Sequence, residues 1–217
     1  MELAAYTELI KQMPYKDQAF ETRRATWQPF SQRKPFEQFY EDVFANSDSV
    51  TISRRDIFFK AESDPQRAIF LTILWGYPKG FTRPNNMTQS FKLFLNQVEY
   101  LEGELSARKS IDANEIECIL KKCKGVGLST LSKLLYFFDI TVDGYRSLIM
   151  DSKIISVLKN RKFMELSPLS GIREHNKGHY YPDYLKLCTE LSKKYGYKPD
   201  QLELFLFMFG NNLKKLL

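Results

Sequence analysis

Two glycines constrain this chain more than any other feature. Gly125 and Gly127 stand in the run Lys124-Gly-Val-Gly-Leu-Ser129, between two segments of helical periodicity. Upstream, Asp112 and Glu115 have the spacing of a capping box, and Ile116, Ile119, Leu120 and Cys123 then fall on one apolar face. Downstream, Leu128, Leu131, Leu134, Leu135 and Phe138 repeat the helical spacing from about Ser129 onward. Gly-Val-Gly offers two positions able to take positive φ, so the backbone can reverse within a few residues. The expected unit is a helix, a glycine hairpin and a second helix. At the start of that second helix the N–H groups of Gly127, Leu128 and Ser129 lack intrahelical partners, and the helix dipole favours an anion. A phosphate meets that description.

Charge points the same way. From Cys118 to Phe163 there are nine Lys or Arg, among them Lys121, Lys122, Lys124 and Lys133, against Asp139, Asp143 and Asp151. The local excess equals the formal net charge of the whole chain, +6, so the remaining residues are balanced. Clustered positive charge of this kind is the footprint of a nucleic-acid backbone partner.

The stretch from Lys124 through Leu135 resembles the helix-hairpin-helix of the DNA glycosylase superfamily that contains the 8-oxoguanine glycosylases. In that superfamily an essential Asp heads a helix about twenty residues beyond the hairpin. Asp151 falls 24 residues after Gly127, between Leu148-Ile-Met and Ser152-Lys-Ile-Ile. Asp151 also reads as an N-cap of a helix through Ile154, Ile155 and Leu158. The resemblance departs at one position. Lyase-type members carry a catalytic Lys two residues past the second hairpin glycine, where this chain has Ser129. Lys133, one helical turn later and on nearly the same face, is the available substitute. The resemblance therefore implies DNA contact through Lys121, Lys124, Gly125, Gly127, Leu128 and Ser129, with Asp151 and Lys133 as catalytic candidates. Some members hold an iron–sulfur cluster on four clustered cysteines, which the three cysteines here do not provide.

Composition bounds the alternatives. A chain of 217 residues that is 43% hydrophobic and 14% aromatic can bury a sizeable core. Its pI near 9.1 favours an acidic partner, and no apolar run is long enough to span a bilayer. Residues 1–20 lack the pattern of a secretory signal. An odd cysteine set without a repeated spacing fits a reducing intracellular, cytoplasmic setting. His175 and His179 with Cys118 and Cys123 have the residue types of a zinc set, but the 51-residue gap from Cys123's neighbourhood to His175 exceeds finger spacing. No metal and no cofactor are expected.

Helices are predicted over Glu2–Met13, Lys16–Trp27, Pro35–Ala45, Thr88–Leu105, Asp183–Tyr195 and Asp200–Leu213, and over shorter runs from Ser53 and from Asp64-Pro65. Val50 and Ile52 alternate as in a brief strand. Asp200 and Glu203 are expected to form a capping box. The glycine- and proline-rich run 76–86 places Trp75, Tyr77 and Phe81 as candidate walls of a base pocket. A second long loop is expected over Phe163–Pro182.

The fold expected is all-α: two helical lobes with the helix-hairpin-helix facing an interlobe cleft. Residues 1–217 form one helical glycosylase-like unit, with the hairpin and catalytic segment at 112–160. The activity implied by the resemblance is excision of a damaged or modified base by hydrolysis of its N-glycosidic bond, with a lyase step if Lys133 reaches the sugar. The partner is DNA, through backbone phosphates and a flipped base. The competing reading is a non-catalytic helix-hairpin-helix module of a repair or defence complex.

Overall fold

The computed structural model describes residues 1–80, 87–173 and 175–213. In chain order these form α1 (Thr7–Lys11), β1 (Ala19–Arg23), α2 (Arg24–Trp27), α3 (Phe36–Phe44), β2 (Ser49–Ser53), α4 (Arg54–Ser63) and α5 (Pro65–Gly76). Then come α6 (Met87–Leu95), α7 (Val98–Ala107), β3 (Ser110–Ile111), α8 (Ala113–Lys122), α9 (Leu128–Phe137), β4 (Thr141–Val142) and β5 (Tyr145–Arg146). The order closes with α10 (Ser152–Lys159), α11 (Lys177–Tyr195) and α12 (Pro199–Phe209), with short 3₁₀ turns between several elements. The protein is mostly helical.

Two small sheets correct the all-α expectation. β1 pairs antiparallel with β2, from Ala19 opposite Ser53 to Arg23 opposite Ser49. The helix expected over Lys16–Trp27 is therefore interrupted by a strand. Phe20 and Thr22 turn inward while Ala19, Glu21 and Arg23 stay exposed, a period of two that only pairing with β2 makes productive. Thr22 then donates to the Pro78 carbonyl and accepts from the Trp27 indole, both at 2.8 Å. The second sheet runs β3-β4-β5, with β3 parallel to β4. It ties the residues just before α8 to those just after α9, clamping the open end of the hairpin. The Thr141 N–H to the Lys109 carbonyl, at 2.9 Å, belongs to that clamp.

Two helices form the centre. α5 is buried without interruption from Ala68 to Trp75, and α9 from Thr130 to Phe137. Asp64 starts α5 by accepting from the Arg67 N–H, with Pro65 in the first turn, and Ser53 starts α4 in a capping box with Asp56. The long helix expected over Thr88–Leu105 is two helices broken at Asn96–Gln97. The loop expected over Phe163–Pro182 ends earlier, because α11 starts at Lys177 and carries Pro182 inside it. α12 starts at Pro199, one residue before the expected cap. Asp200 and Glu203 are both buried on that helix and serve ion pairs instead of a capping box.

Candidate active site

The hairpin sets the first part of the site. Gly125 alone takes positive φ, +88°, and a Cβ there would lie 2.9 Å from Leu93 Cβ and 3.0 Å from the Ser90 carbonyl oxygen on α6. Only glycine serves both the turn and that close approach. Gly127 is extended (φ −95°, ψ 171°), with open space where a side chain would stand. One glycine, not two, makes the reversal, and the second leaves the hairpin surface bare. Among the described residues, the N–H groups of Gly127, Leu128 and Ser129 make no hydrogen bond. Lys121, in the last turn of α8, and Lys124, just before Gly125, are exposed, Lys121 within 3.4 Å of Glu117. The Leu128 side chain is core, so the surface at that position is its backbone.

Lys133 reaches back along α9. Its Nζ donates to the Ser129 carbonyl and to Ser129 Oγ, both at 2.8 Å, and sits 5.3 Å from the Tyr77 ring centroid. Only 4% of the residue is exposed. The amine thus lies beside the Ser129 side chain, one helical turn back. Space for its stem comes from Gly76 at the end of α5, where a Cβ would fall 2.9 Å from Lys133 Cδ. Tyr77 is held in turn by a 2.7 Å bond between its hydroxyl and Thr130 Oγ1.

Asp151 arrives from the other side. It caps α10, one carboxylate oxygen accepting from the Lys153 and Ile154 N–H groups at 2.9 and 3.0 Å. Its second oxygen makes no hydrogen bond among the described residues. The strand-like segment before it is pinned from two helices. Tyr181 and Tyr184 of α11 donate to the Leu148 and Ile149 carbonyls at 2.9 and 3.2 Å, and the Met150 N–H donates to Ser132 Oγ of α9 at 3.1 Å. These three side chains register Asp151 against α9. Nothing in the sequence marks the tyrosines as more than core.

Lys133 and Asp151 line one cavity of about 230 Å³. Its aromatic walls are Phe20, Trp75 and Phe207, none of which except Trp75 stands out in the sequence. Phe20 meets Trp75 at 5.3 Å and Phe207 at 6.2 Å between centroids. Tyr77 packs beside the lysine, and Phe81 lies outside the described residues. At the mouth, Lys153 Nζ stands 4.2 Å from the Phe207 ring centroid.

Within the cavity wall is an ion pair invisible to any local motif. Arg54, fully buried, donates to both Glu203 carboxylate oxygens at 2.6 and 3.2 Å, to the Tyr136 hydroxyl at 3.1 Å and to Gln18 Oε1 at 2.7 Å. Its guanidinium also lies 5.3 Å from Trp75 and 5.1 Å from Tyr136 ring centroids. Burial works against this charge, but Glu203 and Tyr136 outweigh it and raise the guanidinium pKa still further. Arg54 therefore remains charged and fixes the cavity wall from α4, α9 and α12 at once.

The family model described as "Putative 8-oxoguanine DNA glycosylase OGG-like protein" matches residues 14–207. That span contains the hairpin, both cavity-lining candidates and the buried ion pair. No curated protein and no solved structure matches the chain.

Proposed function

We propose a base-excision activity for this chain, which belongs to the 8-oxoguanine DNA glycosylase OGG-like family. The observation that carries this reading is the single cavity shared by the Lys133 amine and the Asp151 carboxylate, walled by three aromatic side chains. At about 230 Å³ it is smaller than the roughly 300–1,000 Å³ of most ligand pockets. That suits a base taken out of the helix stack, not a whole nucleotide. Residues 1–217 act as one unit of two helical lobes, and the segment 112–160 presents the hairpin and Asp151 to the cleft between them.

DNA is held by phosphate contacts to the open N–H groups of Gly127, Leu128 and Ser129, assisted by Lys121, Lys124, the turn that Gly125 makes and the bare surface at Gly127. The flipped base enters between Phe20, Trp75 and Phe207. As the N-glycosidic bond lengthens, positive charge develops on the sugar, and the ionised Asp151 stabilises it. In hydrolysis a water adds at the sugar carbon, the bond's electron pair leaves with the base, and the base takes up a proton. With the Lys133 amine as nucleophile instead, the sugar opens to a Schiff base and the strand can then break by elimination.

The test is incubation of wild type, Asp151→Asn and Lys133→Gln with duplexes each carrying one damaged or modified base, scored for breaks with and without alkali and for adducts after borohydride. Release by wild type and not by Asp151→Asn supports the enzyme. An adduct lost in Lys133→Gln assigns the amine. A broad panel without product, with all three proteins still binding DNA, would leave a non-catalytic binding module in its place.

A further inference from the structure

A larger cavity takes no part in the chemistry above. It is a cleft of about 840 Å³ at the far end of α9. The two cavities are one helical turn apart on two elements: Lys133 lines the first and Phe137 the second, Glu203 the first and Asp200 the second. Between them stands Tyr136, with the Arg54 guanidinium 5.1 Å and the Arg146 guanidinium 5.5 Å from its ring centroid. This layer closes one cavity off from the other, so an occupant of the larger cleft would touch neither Lys133 nor Asp151.

The charge on the cleft is not internally balanced. Its two aspartates, Asp139 and Asp200, are both engaged by Arg146, Asp200 at 3.1 Å. Arg55 is paired with Asp17 at 2.5 Å. Arg146 carries one charge against its two carboxylates. Lys16, Lys109 and Lys198 on the rim, all exposed and without a carboxylate partner among the described residues, therefore face Glu62 and one surplus aspartate charge, which still leaves the cleft net positive. Beside these ammonium groups the cleft offers two half-buried aromatic rings, Tyr15 and Phe58, with Lys198 Nζ 5.9 Å from the Tyr15 centroid. Unneutralised cations call for an anion, and rings next to them call for a planar apolar group.

We infer that this cleft is a second ligand site, separate from the excision cavity, for a nucleotide whose phosphate meets Lys16, Lys109 and Lys198 and whose base packs on Tyr15 and Phe58. A nucleotide joins both chemistries in one molecule. Its whole body also suits a volume within the roughly 300–1,000 Å³ range of ligand pockets, unlike the smaller cavity. The nucleotide can be free or part of a strand, and the two sources separate by experiment. The site does not depend on the excision reading.

The experiment is isothermal titration of the full chain with deoxyguanosine 5′-monophosphate, with inorganic phosphate as the ringless probe and a short single-stranded oligothymidylate as the polymer. Saturable binding of the mononucleotide is expected, with a Kd between about 1 µM and 1 mM. Inorganic phosphate should bind about tenfold more weakly or less. The surface variant Lys16→Glu/Lys198→Glu should weaken mononucleotide binding at least about tenfold, whereas Lys133→Gln and Asp151→Asn should leave it unchanged. Competition by the oligothymidylate that disappears in the charge-reversed variant assigns the site to a strand; its absence assigns it to a free nucleotide. The inference is overturned by absence of saturable binding, by loss of binding in Lys133→Gln, or by phosphate and mononucleotide binding equally well.

Discussion

Replacing Gly76 with alanine separates the position of the Lys133 amine from its identity. The new methyl would lie 2.9 Å from Lys133 Cδ and 3.0 Å from Cε. Carbon atoms in good contact stand about 3.5–4.0 Å apart, so the stem must retreat by about 0.5–1 Å. Backbone strain plays no part, because Gly76 does not have positive φ. Retreat draws Nζ away from one or both Ser129 acceptors, each now at 2.8 Å. A hydrogen bond to a charged group contributes about 1.5–3 kcal/mol. Alanine offsets up to about 1 kcal/mol of this as the better helix former. The net cost is about 0.5–3 kcal/mol if one bond is lost, a change the fold tolerates. The chemistry is less tolerant, since a misplacement of about 1 Å can cost on the order of 10²-fold in rate. Gly76→Ala should therefore remain folded by circular dichroism and bind DNA as the wild type does. Its borohydride-trapped adduct should form about 10–100-fold more slowly. A folded Gly76→Ala that traps at the wild-type rate would refute the claim that this groove sets the amine.

Three further outcomes follow from the packing. Glu203→Ala leaves the Arg54 charge buried without its carboxylate, and urea unfolding should show a loss of about 3–5 kcal/mol; a loss below about 1 kcal/mol would mean the pair is replaced by water or another anion. Gly125→Ala forces a side chain into positive φ against the α6 backbone, so denaturation should show destabilisation of about 1–3 kcal/mol, while Gly127→Ala, extended and facing open space, should unfold at nearly the wild-type midpoint and lose phosphate affinity. The Glu115 carboxyl is held below its usual pKa, first by the Asp112 N–H and then by Arg108. Its depressed value means a contribution present above the unfolded pKa and lost as pH falls through the folded one. Glu115→Gln should lower stability at neutral pH and so flatten the acid limb of a stability–pH profile, the two proteins converging below the folded pKa.

What the sequence revealed depended on how local each signal was. The hairpin, the Asp151 cap, the Ser53 and Asp64 caps and the Val50–Ile52 strand all rest on neighbours within a few positions, and the structure carries each of them. The β1 strand escaped notice because Ala19–Arg23 needs β2 some thirty positions away to be worth forming. Asp200 and Glu203 mimic a capping box in spacing, yet their partners are Arg146 and Arg54, contributed by segments remote in sequence. Phe20 and Phe207 were unreadable as pocket walls for the same reason: a wall is defined by what faces it. Lys133 was reachable only because it shares a helix face with Ser129, and Gly76, which makes room for it, carried no sign of that task.

The Arg54–Glu203 bond also dictates an order of assembly. Its two partners lie 149 positions apart, and both cavity-lining candidates, Lys133 and Asp151, fall between them. Synthesis delivers Arg54 early and Glu203 late, so throughout translation the nascent chain holds a guanidinium whose counter-ion does not yet exist. The cavity wall at Arg54 and Trp75 closes only when α12 brings Glu203 and Phe207. A polypeptide stalled before that helix lacks both of the residues that α12 contributes to the cavity wall.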